Sequence, residues 1–263
     1  MKRKQLLELS IRACLEASKQ IMDIYNREFT VEQKEDKSPL TEADTAAHNI
    51  IKATLKQTLL PILSEEGQTI DYQERAKWDT YWCVDPIDGT KEFIKRNGEF
   101  TVNIALIENQ VPVLGVIYAP VIETLYFAEE NIGSFKIELK KSKDIEVIIN
   151  KAVKLPCSQS SVYTVVGSRS HMSEKTQAFL EELKREYGNL DIVSKGSSLK
   201  LCMVAEGVAD IYPRYAPTME WDTAAGQAIA EFSGAQVIDY ETKKSLVYNK
   251  QELKNPWFTV KRN

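Results

Sequence analysis

Apolar side chains recur at helical spacing near the amino terminus, where they predict two amphipathic helices. One face of the first helix is traced by Leu7, Ile11, Cys14, Leu15, Ser18 and Met22. Thr41 opens the second helix, whose buried stripe is formed by Ala47, Ile51, Leu55 and Leu59. The polar stretch from Gln33 to Pro39 lies between the two helices and predicts a mobile loop.

The middle of the chain changes to short apolar runs of strand length. A buried strand is predicted at Tyr81–Val84, and successive strands at Thr101–Leu106, Val113–Tyr118 and Thr124–Ala128. Short turns between these runs favour a largely antiparallel sheet. The lysine-rich run 140–143 is interpreted as a solvated turn.

After Pro156 helices and strands alternate. The pattern predicts a strand at Tyr163–Val166, helices at Lys175–Tyr187 and Ser198–Glu206, and a strand at Ala209–Tyr212. Such alternation is typical of an α/β unit. We therefore expect an α/β protein in which residues 1–155 form an α+β subdomain and residues 156–263 form an α/β subdomain.

The amino-acid composition argues against several classes of function. The chain has 263 residues, 43% hydrophobic and 27% charged, with a net charge of −4. A mildly acidic protein of this kind lacks the basic face that a nucleic-acid polymer requires, so any bound nucleotide is expected to be a small molecule. No secretory signal or membrane-spanning run is predicted. Four cysteines without metal-like spacing indicate reduced thiols in a cytoplasmic protein: Cys14, Cys83 and Cys202 in apolar patterns, and Cys157 in a loop.

The most informative motif is Asp85-Pro86-Ile87-Asp88-Gly89-Thr90, which follows the predicted strand at 81–84. Two carboxylates at a strand end suit magnesium, which prefers oxygen ligands and keeps part of its hydration shell. Gly89 lets the backbone approach an anion, and Thr90 opens a helix whose N–H groups can face phosphate. Taken alone, the same residues also make an ordinary turn.

Two further acidic segments accompany this motif. Glu65 and Glu66 follow a short apolar run, and Asp222 stands at the start of an alanine-rich helix. By themselves they are interpreted as a solvated loop and a helix cap. Asp44 likewise fits a capping box with Thr41.

The order of these segments resembles the lithium-sensitive, magnesium-dependent phosphatase superfamily of inositol monophosphatases, fructose bisphosphatases and 3′(2′),5′-bisphosphate nucleotidases. The pieces DPIDGTKEFIKRNGEFTVNIAL, GSRSH, GSSLKLCMVAEGVADIYPR and WDTAAG look like the bacterial CysQ-type nucleotidase branch. The resemblance covers nearly the whole chain and implies a layered αβαβα sandwich with the active site between its halves. It also implies that the subdomain of residues 1–155 binds metal and that of residues 156–263 binds substrate.

The resemblance also implies a metal site with two or three Mg²⁺ ions and inhibition by lithium. A first ion would be held by Glu65, Asp85 and the backbone carbonyl of Ile87. A second would be held by Asp85, Asp88 and Asp222. No covalent intermediate is implied, so neither a cysteine nor a serine nucleophile is assigned.

Catalytic and substrate roles follow from the same resemblance. Asp44 and Thr90 would orient and activate the attacking water. Contacts to substrate would come from Glu65, Asp88, Gly89, Thr90, His171, Ser197, Lys200, Arg214 and Asp222. Lys200 and Arg214 are also explained as ordinary snorkelling cations, and His171 as a structural histidine. Two cations beside an acidic cluster would suit a substrate with a second phosphate.

The implied activity is removal of the 3′-phosphate from adenosine 3′,5′-bisphosphate, and from the corresponding sulfated nucleotide. Inositol monophosphate is the nearest rival substrate, and fructose bisphosphate a weaker one. Two alternatives are not enzymes. One is a protein that binds a nucleotide without catalysis, and the other is an interaction protein whose acidic loops are solvated. The expected assembly is a monomer or weak homodimer, and association with the cytoplasmic face of the inner membrane stays open.

Overall fold

The computed structural model describes residues 1–34, 38–139, 144–167 and 173–262. The helices are α1 (Arg3–Tyr25), α2 (Glu42–Leu55), α3 (Tyr72–Arg75), α4 (Thr90–Ile94), α5 (Ile145–Lys151), α6 (Glu174–Tyr187), α7 (Leu199–Glu206) and α8 (Glu220–Glu231). Among these described residues, no helix combines the length and the apolar character needed to cross a bilayer.

The strands are assembled into two large sheets and one small ladder. They are β1 (Val31–Gln33), β2 (Pro39–Thr41), β3 (Ile62–Ser64), β4 (Thr80–Asp88), β5 (Thr101–Glu108), β6 (Val111–Ala119), β7 (Thr124–Glu129), β8 (Gly133–Glu138), β9 (Val153–Lys154), β10 (Thr164–Gly167), β11 (Asp191–Ser194), β12 (Ile211–Arg214), β13 (Gln236–Asp239) and β14 (Phe258–Lys261).

The larger sheet has seven strands in the order β3-β4-β5-β6-β7-β8-β9. Strands β3 and β4 pair in parallel, and the pairs from β4 to β9 are antiparallel. The second sheet has five strands in the order β11-β10-β12-β14-β13, and β10 runs parallel to both β11 and β12. The predictions of a largely antiparallel first half and a mixed α/β second half are therefore confirmed.

Alternating side chains of the seven-stranded sheet separate two apolar cores. Trp82 and Val84 on β4 pack in the core that contains α1 and α2. Tyr81 and Cys83, on the opposite face, pack with α7 and α8 against the five-stranded sheet. Helix α6 covers the outer face of that sheet through Leu180 and its neighbours. This stacking is the αβαβα arrangement that the resemblance implied.

Helix α8 packs directly on the seven-stranded sheet because β6 carries a glycine at the crossing point. A Cβ atom on Gly115 would lie 2.4 Å from the carbonyl oxygen of Ala225. Such a distance is far inside van der Waals contact, so only glycine allows the helix to approach this closely. The close approach brings the amino-terminal turn of α8 to the end of β4.

Two sequence predictions are wrong in part. Leu59 does not belong to the buried stripe of α2: the helix ends at Leu55, and Leu59 is 91% exposed in a left-handed conformation after a 3₁₀ turn. The stretch from Gln33 to Pro39 is not simply a loop, since Gln33 pairs with Pro39 in the β1–β2 ladder. The turn predicted at 140–143 lies outside the described residues. The division at 155/156 falls between β9 and β10 and stays a prediction.

Candidate metal and substrate site

The end of β4 departs from regular strand geometry where the two aspartates of the motif lie. Asp85 pairs with Asn103 and Asp88 with Thr101, so β4 contains one extra residue in this interval. A bulge of this kind re-aims side chains next to functional sites. Proline at position 86 is compatible with it because a bulge does not need every ladder N–H. The N–H of Ile87 donates to Asp85 Oδ1 at 3.1 Å, which closes the turn.

Asp222 joins this turn from the other half of the chain. It lies in the first turn of α8, and its Oδ2 accepts a hydrogen bond from the N–H of Met219 at 2.8 Å. Ligand oxygens of Asp85, Asp88 and Asp222 all lie within 4.8 Å of one another. The sequence interpretation of Asp222 as the N-cap is wrong: Met219 has that position, and Asp222, three residues later, accepts a hydrogen bond from its backbone N–H as in a capping box. The same side chain also reaches the aspartates of β4.

Burial and repulsion from neighbouring carboxylates make Asp85 and Asp222 hard to ionise without a cation. Burial, followed by repulsion from Glu65, Asp88 and Asp222, raises the pKa of Asp85 well above its ordinary value. Burial and the charge of Asp88 raise the pKa of Asp222 to about 8. Carboxylate oxygens are the ligands that Mg²⁺ prefers, and a cation among them would relieve their mutual repulsion, so these residues fit a magnesium site.

Glu65 lies next to the cluster because its N–H donates to the carbonyl of Val84 at 3.1 Å. Its Oε1 accepts a hydrogen bond from Lys34 Nζ at 2.9 Å, and Oε1 of Glu66 accepts one at 2.5 Å. Burial alone lowers the pKa of Lys34, but the two glutamates raise it above its ordinary value. Sequence reasoning missed Lys34, because no local pattern in its segment predicts that it contacts the glutamates after β3.

Asp44 and Thr90 meet beside the turn although 46 positions separate them. The capping box is confirmed: Thr41 donates to Asp44 Oδ2 from its backbone N–H at 2.8 Å and from its hydroxyl at 2.5 Å. The other oxygen, Oδ1, accepts from the hydroxyl of Thr90 at 3.2 Å. Burial raises the pKa of Asp44, with the hydrogen bonds from Thr41 acting in the opposite direction.

A pocket of about 320 Å³ opens from the aspartates toward the five-stranded sheet. Its lining includes Asp88, Gly89, Ser197, Lys200, Arg214 and Asp222. Gly89 has a φ of +95°, and a Cβ there would lie 2.1 Å from Ser197 Oγ. Ser197 itself lies within hydrogen-bond distance of the carbonyl oxygens of Asp88 and Glu99, at 2.8 and 2.7 Å. Glycine is therefore required where the two halves of the chain meet.

The two predicted cations lie in this pocket. Lys200 is buried, and its Nζ donates to the carbonyl of Ser197 at 2.6 Å. Burial lowers the pKa of Lys200 to about 8, against the opposing charge of Asp88. Arg214 donates from Nη2 to the carbonyl of Pro217 at 2.9 Å, and its Nε is buried without a partner among the described residues. His171 lies outside the described residues.

The sequence model of the inositol monophosphatase family matches residues 2–259. The chain belongs to this family. Its curated relatives include the 3′(2′),5′-bisphosphate nucleotidase CysQ of Salmonella typhimurium, which is 44% identical over 259 residues, or 97% of this chain and 99% of the relative. CysQ of Escherichia coli K12 is 44% identical over 244 residues, covering 91% and 93% of the two chains.

Solved structures agree with the family assignment. CysQ from Bacteroides thetaiotaomicron, described as a bacterial member of the inositol monophosphatase family, superposes with a TM-score of 0.90 at 47% identity and covers 99% of this chain and 98% of its own. The Thermotoga maritima IMPase gives a TM-score of 0.73 at 25% identity, with 98% and 92% covered. The resemblance recognised in the sequence and the fold it implied are confirmed.

Members of the inositol monophosphatase family depend on a metal, typically magnesium, and the cluster of Asp85, Asp88 and Asp222 could hold one. The individual roles assigned to these residues stay predictions. Sequence reasoning also missed Asn103 and Ser198, which contact the cluster. Ser198 lay within the recognised GSSLK piece, but a serine before an apolar helix predicts a cap and not a contact to a distant aspartate.

Proposed function

We propose that this chain is a magnesium-dependent 3′(2′),5′-bisphosphate nucleotidase. It hydrolyses the 3′-phosphate of adenosine 3′,5′-bisphosphate to give AMP, and converts 3′-phosphoadenylyl sulfate into adenylyl sulfate. The observation that carries the proposal is the acidic cluster at one end of a pocket whose interior contains Lys200 and Arg214. The relatives that are nearly half identical over full length carry the same activity in their names.

The acids divide into two overlapping ligand sets. Glu65, Asp85 and the carbonyl of Ile87 would hold one Mg²⁺, and Asp85, Asp88 and Asp222 a second, with Asp85 shared. When bound there, magnesium activates water and neutralises the charge that develops on the leaving oxygen. The shared ligand is the most deeply buried of the carboxylates, with 1% of its surface exposed, which suits a group between two cations.

Asp44 and Thr90 would move the proton. The Thr90 hydroxyl lies 3.2 Å from Asp44 Oδ1 and 3.3 Å from the carbonyl oxygen of Ile87. When its proton is donated to Asp44, the lone pairs of the hydroxyl oxygen can accept a proton from an attacking water. Asp44 has a pKa raised by burial, which makes it a better proton acceptor than an exposed aspartate. This pair lies outside both proposed ligand sets and can therefore act as base.

Recognition of the nucleotide would depend on the other residues that line the pocket. Lys200, Arg214, Ser197 and His171 would surround the nucleoside and its second phosphate, and the two cations would bind that phosphate through charge-assisted hydrogen bonds. Arg214 lines this pocket and carries a planar guanidinium group, whose geometry matches that of phosphate. The reacting phosphate would contact Gly89 and Thr90 at the start of α4, together with the metal ligands Glu65, Asp88 and Asp222.

The deciding experiment compares phosphate release from adenosine 3′,5′-bisphosphate and from inositol 1-phosphate with Mg²⁺ and then with added Li⁺. We expect strong preference for the nucleotide and inhibition by lithium. Preference for inositol phosphate would retain the metal site but overturn the roles given to Lys200 and Arg214. Release from neither substrate would favour a nucleotide-binding protein without catalysis.

The proposal also covers the cellular location and the oligomeric state of the enzyme. A cytoplasmic location is supported by four free cysteines, of which Cys14, Cys83 and Cys202 are buried. We propose a monomer or weak homodimer, which light scattering after size-exclusion chromatography measures directly. A tetramer or larger assembly would contradict this.

A further inference from the structure

Ser198 occupies the N-cap position of α7, yet its hydroxyl does not cap that helix. Serine at this position usually accepts a hydrogen bond from the first helical turn. Here Oγ lies 2.5 Å from Oδ2 of Asp88 and 2.9 Å from the carbonyl oxygen of Asp222. The side chain thus contacts both aspartates that would share the second metal.

Asn103 determines the direction of the hydrogen bonds. Its Nδ2 donates to Ser198 Oγ at 2.8 Å and reaches Asp88 Oδ2 at 3.4 Å. Because the hydroxyl accepts from Asn103, its own proton is directed to one of its two acceptors, of which Asp88 Oδ2 is the nearer. Ser198 and Asn103 are each 1% exposed, so bulk water does not compete for these bonds.

We propose that Ser198, held by Asn103, is a positioning residue that keeps Asp88 and the first turn of α8 arranged for a divalent cation. The inference deepens the proposed function and rests on Asp88 and Asp222 being metal ligands. It assigns Ser198 no contact with the reacting atoms; its role is to set the orientation of the groups that make such contacts.

A neutral donor suits this task for an electrostatic reason. Asp85, Asp88 and Asp222 repel one another in the absence of a cation, so a freely rotating carboxylate would turn away from its neighbours. A lysine in this position would hold Asp88 but would also compete with the metal for charge. A hydroxyl supports the ionised carboxylate through Oδ2 and adds no charge, and the two bonds from Ser198 and Asn103 leave Oδ1 to the cation.

The network also joins parts of the chain that are distant in sequence. Asp88 ends β4, Asn103 lies on β5, Ser198 precedes α7, and Asp222 lies in α8. One buried hydroxyl therefore fixes the relative position of two ligands that come from opposite halves of the chain. Partners that orient metal ligands in this way typically change metal affinity or activity by about 10 to 100-fold when removed.

The test measures direct binding of Mg²⁺ or Mn²⁺ by calorimetry to the substrate-free protein, together with the Mg²⁺ dependence of nucleotide hydrolysis. We expect Ser198→Ala to weaken cation binding by about 10 to 100-fold and to raise the Mg²⁺ concentration for half-maximal rate in parallel. Asn103→Ala should weaken binding in the same direction. The loss of affinity in the double variant should be smaller than the product of the two single losses, because Asn103 acts in part by holding Ser198.

Ser10→Ala is the matched control. Ser10 is fully buried in α1 and donates to the carbonyl of Leu7 at 2.9 Å, so its loss removes a buried serine hydrogen bond far from the site. We expect a similar fall in melting temperature for Ser10→Ala and Ser198→Ala, and unchanged cation affinity for Ser10→Ala alone. If Ser198→Ala does not fold, Asn103→Ala decides the matter by the same binding measurement.

Asp88→Asn separates failure of this inference from failure of the proposed function. Loss of cation binding in Asp88→Asn, with wild-type affinity in Ser198→Ala and Asn103→Ala, would overturn the positioning role and leave the metal site in place. Wild-type cation binding in both Asp88→Asn and Asp222→Asn would instead refute the proposed metal site itself.

Discussion

At the residue scale, Lys200 has a structural contact in the pocket and, in the proposed function, a role in binding the nucleotide. Its ammonium group is buried against the carbonyl of Ser197 and lies 5.6 Å from the ring of Tyr212. Burial lowers the pKa of Lys200 to about 8, because removal from water disfavours the charged ammonium group. A bound phosphate would stabilise that charge. This is the electrostatic basis of the proposal that the pocket binds an anion, which would replace the hydration that the ammonium group has lost.

We expect Lys200→Ala to raise KM for adenosine 3′,5′-bisphosphate by about 10 to 100-fold, since a charge-assisted hydrogen bond contributes about 1.5 to 3 kcal/mol. KM for adenosine 3′-monophosphate, which lacks the second phosphate, should change much less. Steady-state kinetics with the two substrates measures the difference. Lys184→Ala on exposed α6 is the control for removal of a lysine, and equal effects on both substrates would refute the role of Lys200.

At the element scale, helix α8 positions a residue from the second half of the chain against strands of the first half. Its close contact with β6 at Gly115 places Asp222 at the bulged end of β4. The helix is rich in small residues, with Ala224, Ala225 and Ala228 buried, so little side-chain volume separates it from the sheet. Any shift of this helix therefore moves a proposed metal ligand directly.

Gly115→Ala should destabilise the protein by about 1 to 3 kcal/mol, because the added methyl group overpacks the contact with Ala225. Cation affinity should fall as well, since α8 has to move away from the sheet. Urea unfolding and calorimetry measure the two effects. Gly167→Ala is the matched control for stability, because a Cβ at Gly167 meets nothing within 4 Å. A wild-type midpoint and affinity in Gly115→Ala would contradict the assigned contact.

At the scale of the whole molecule, the acidic cluster links stability to pH and to metal. The pKa of Asp222 is raised to about 8, and that of Asp85 is raised as well, chiefly by burial. A carboxyl with a raised folded-state pKa stabilises the fold when protonated, and this contribution is lost as pH rises through that pKa. A bound cation reverses the effect because it favours the ionised form.

We therefore expect the metal-free protein in EDTA to lose stability between about pH 4 and pH 8 relative to Asp222→Asn, which mimics the protonated acid. Each unit of pKa shift corresponds to about 1.4 kcal/mol. Added Mg²⁺ should raise the melting temperature of the wild type more at pH 8 than at pH 5. Differential scanning calorimetry of both proteins checks this. An increase that is the same at both pH values would contradict the linkage.

Local sequence patterns were enough to predict most helices and strands and the residues of the motif. The face of α1 from Leu7 to Met22, the strand before Asp85 and the capping box of Thr41 and Asp44 follow from spacing and residue type over a few positions. Leu59 was predicted wrongly because periodicity alone cannot show that α2 ends at Leu55 and gives way to a 3₁₀ turn.

By itself, the sequence determined most helices and strands and the acidic segments, because these depend on local periodicity and on motifs that are contiguous in the chain. It determined the family and the layered fold through the resemblance of those motifs to a known family. Only the tertiary structure decided which distant groups meet. Lys34 with Glu65, Asn103 with Ser198, and Gly115 with Ala225 are contacts between residues 31, 95 and 110 positions apart. Such contacts are set by how the sheets and helices stack, and no short-range pattern in the chain records them.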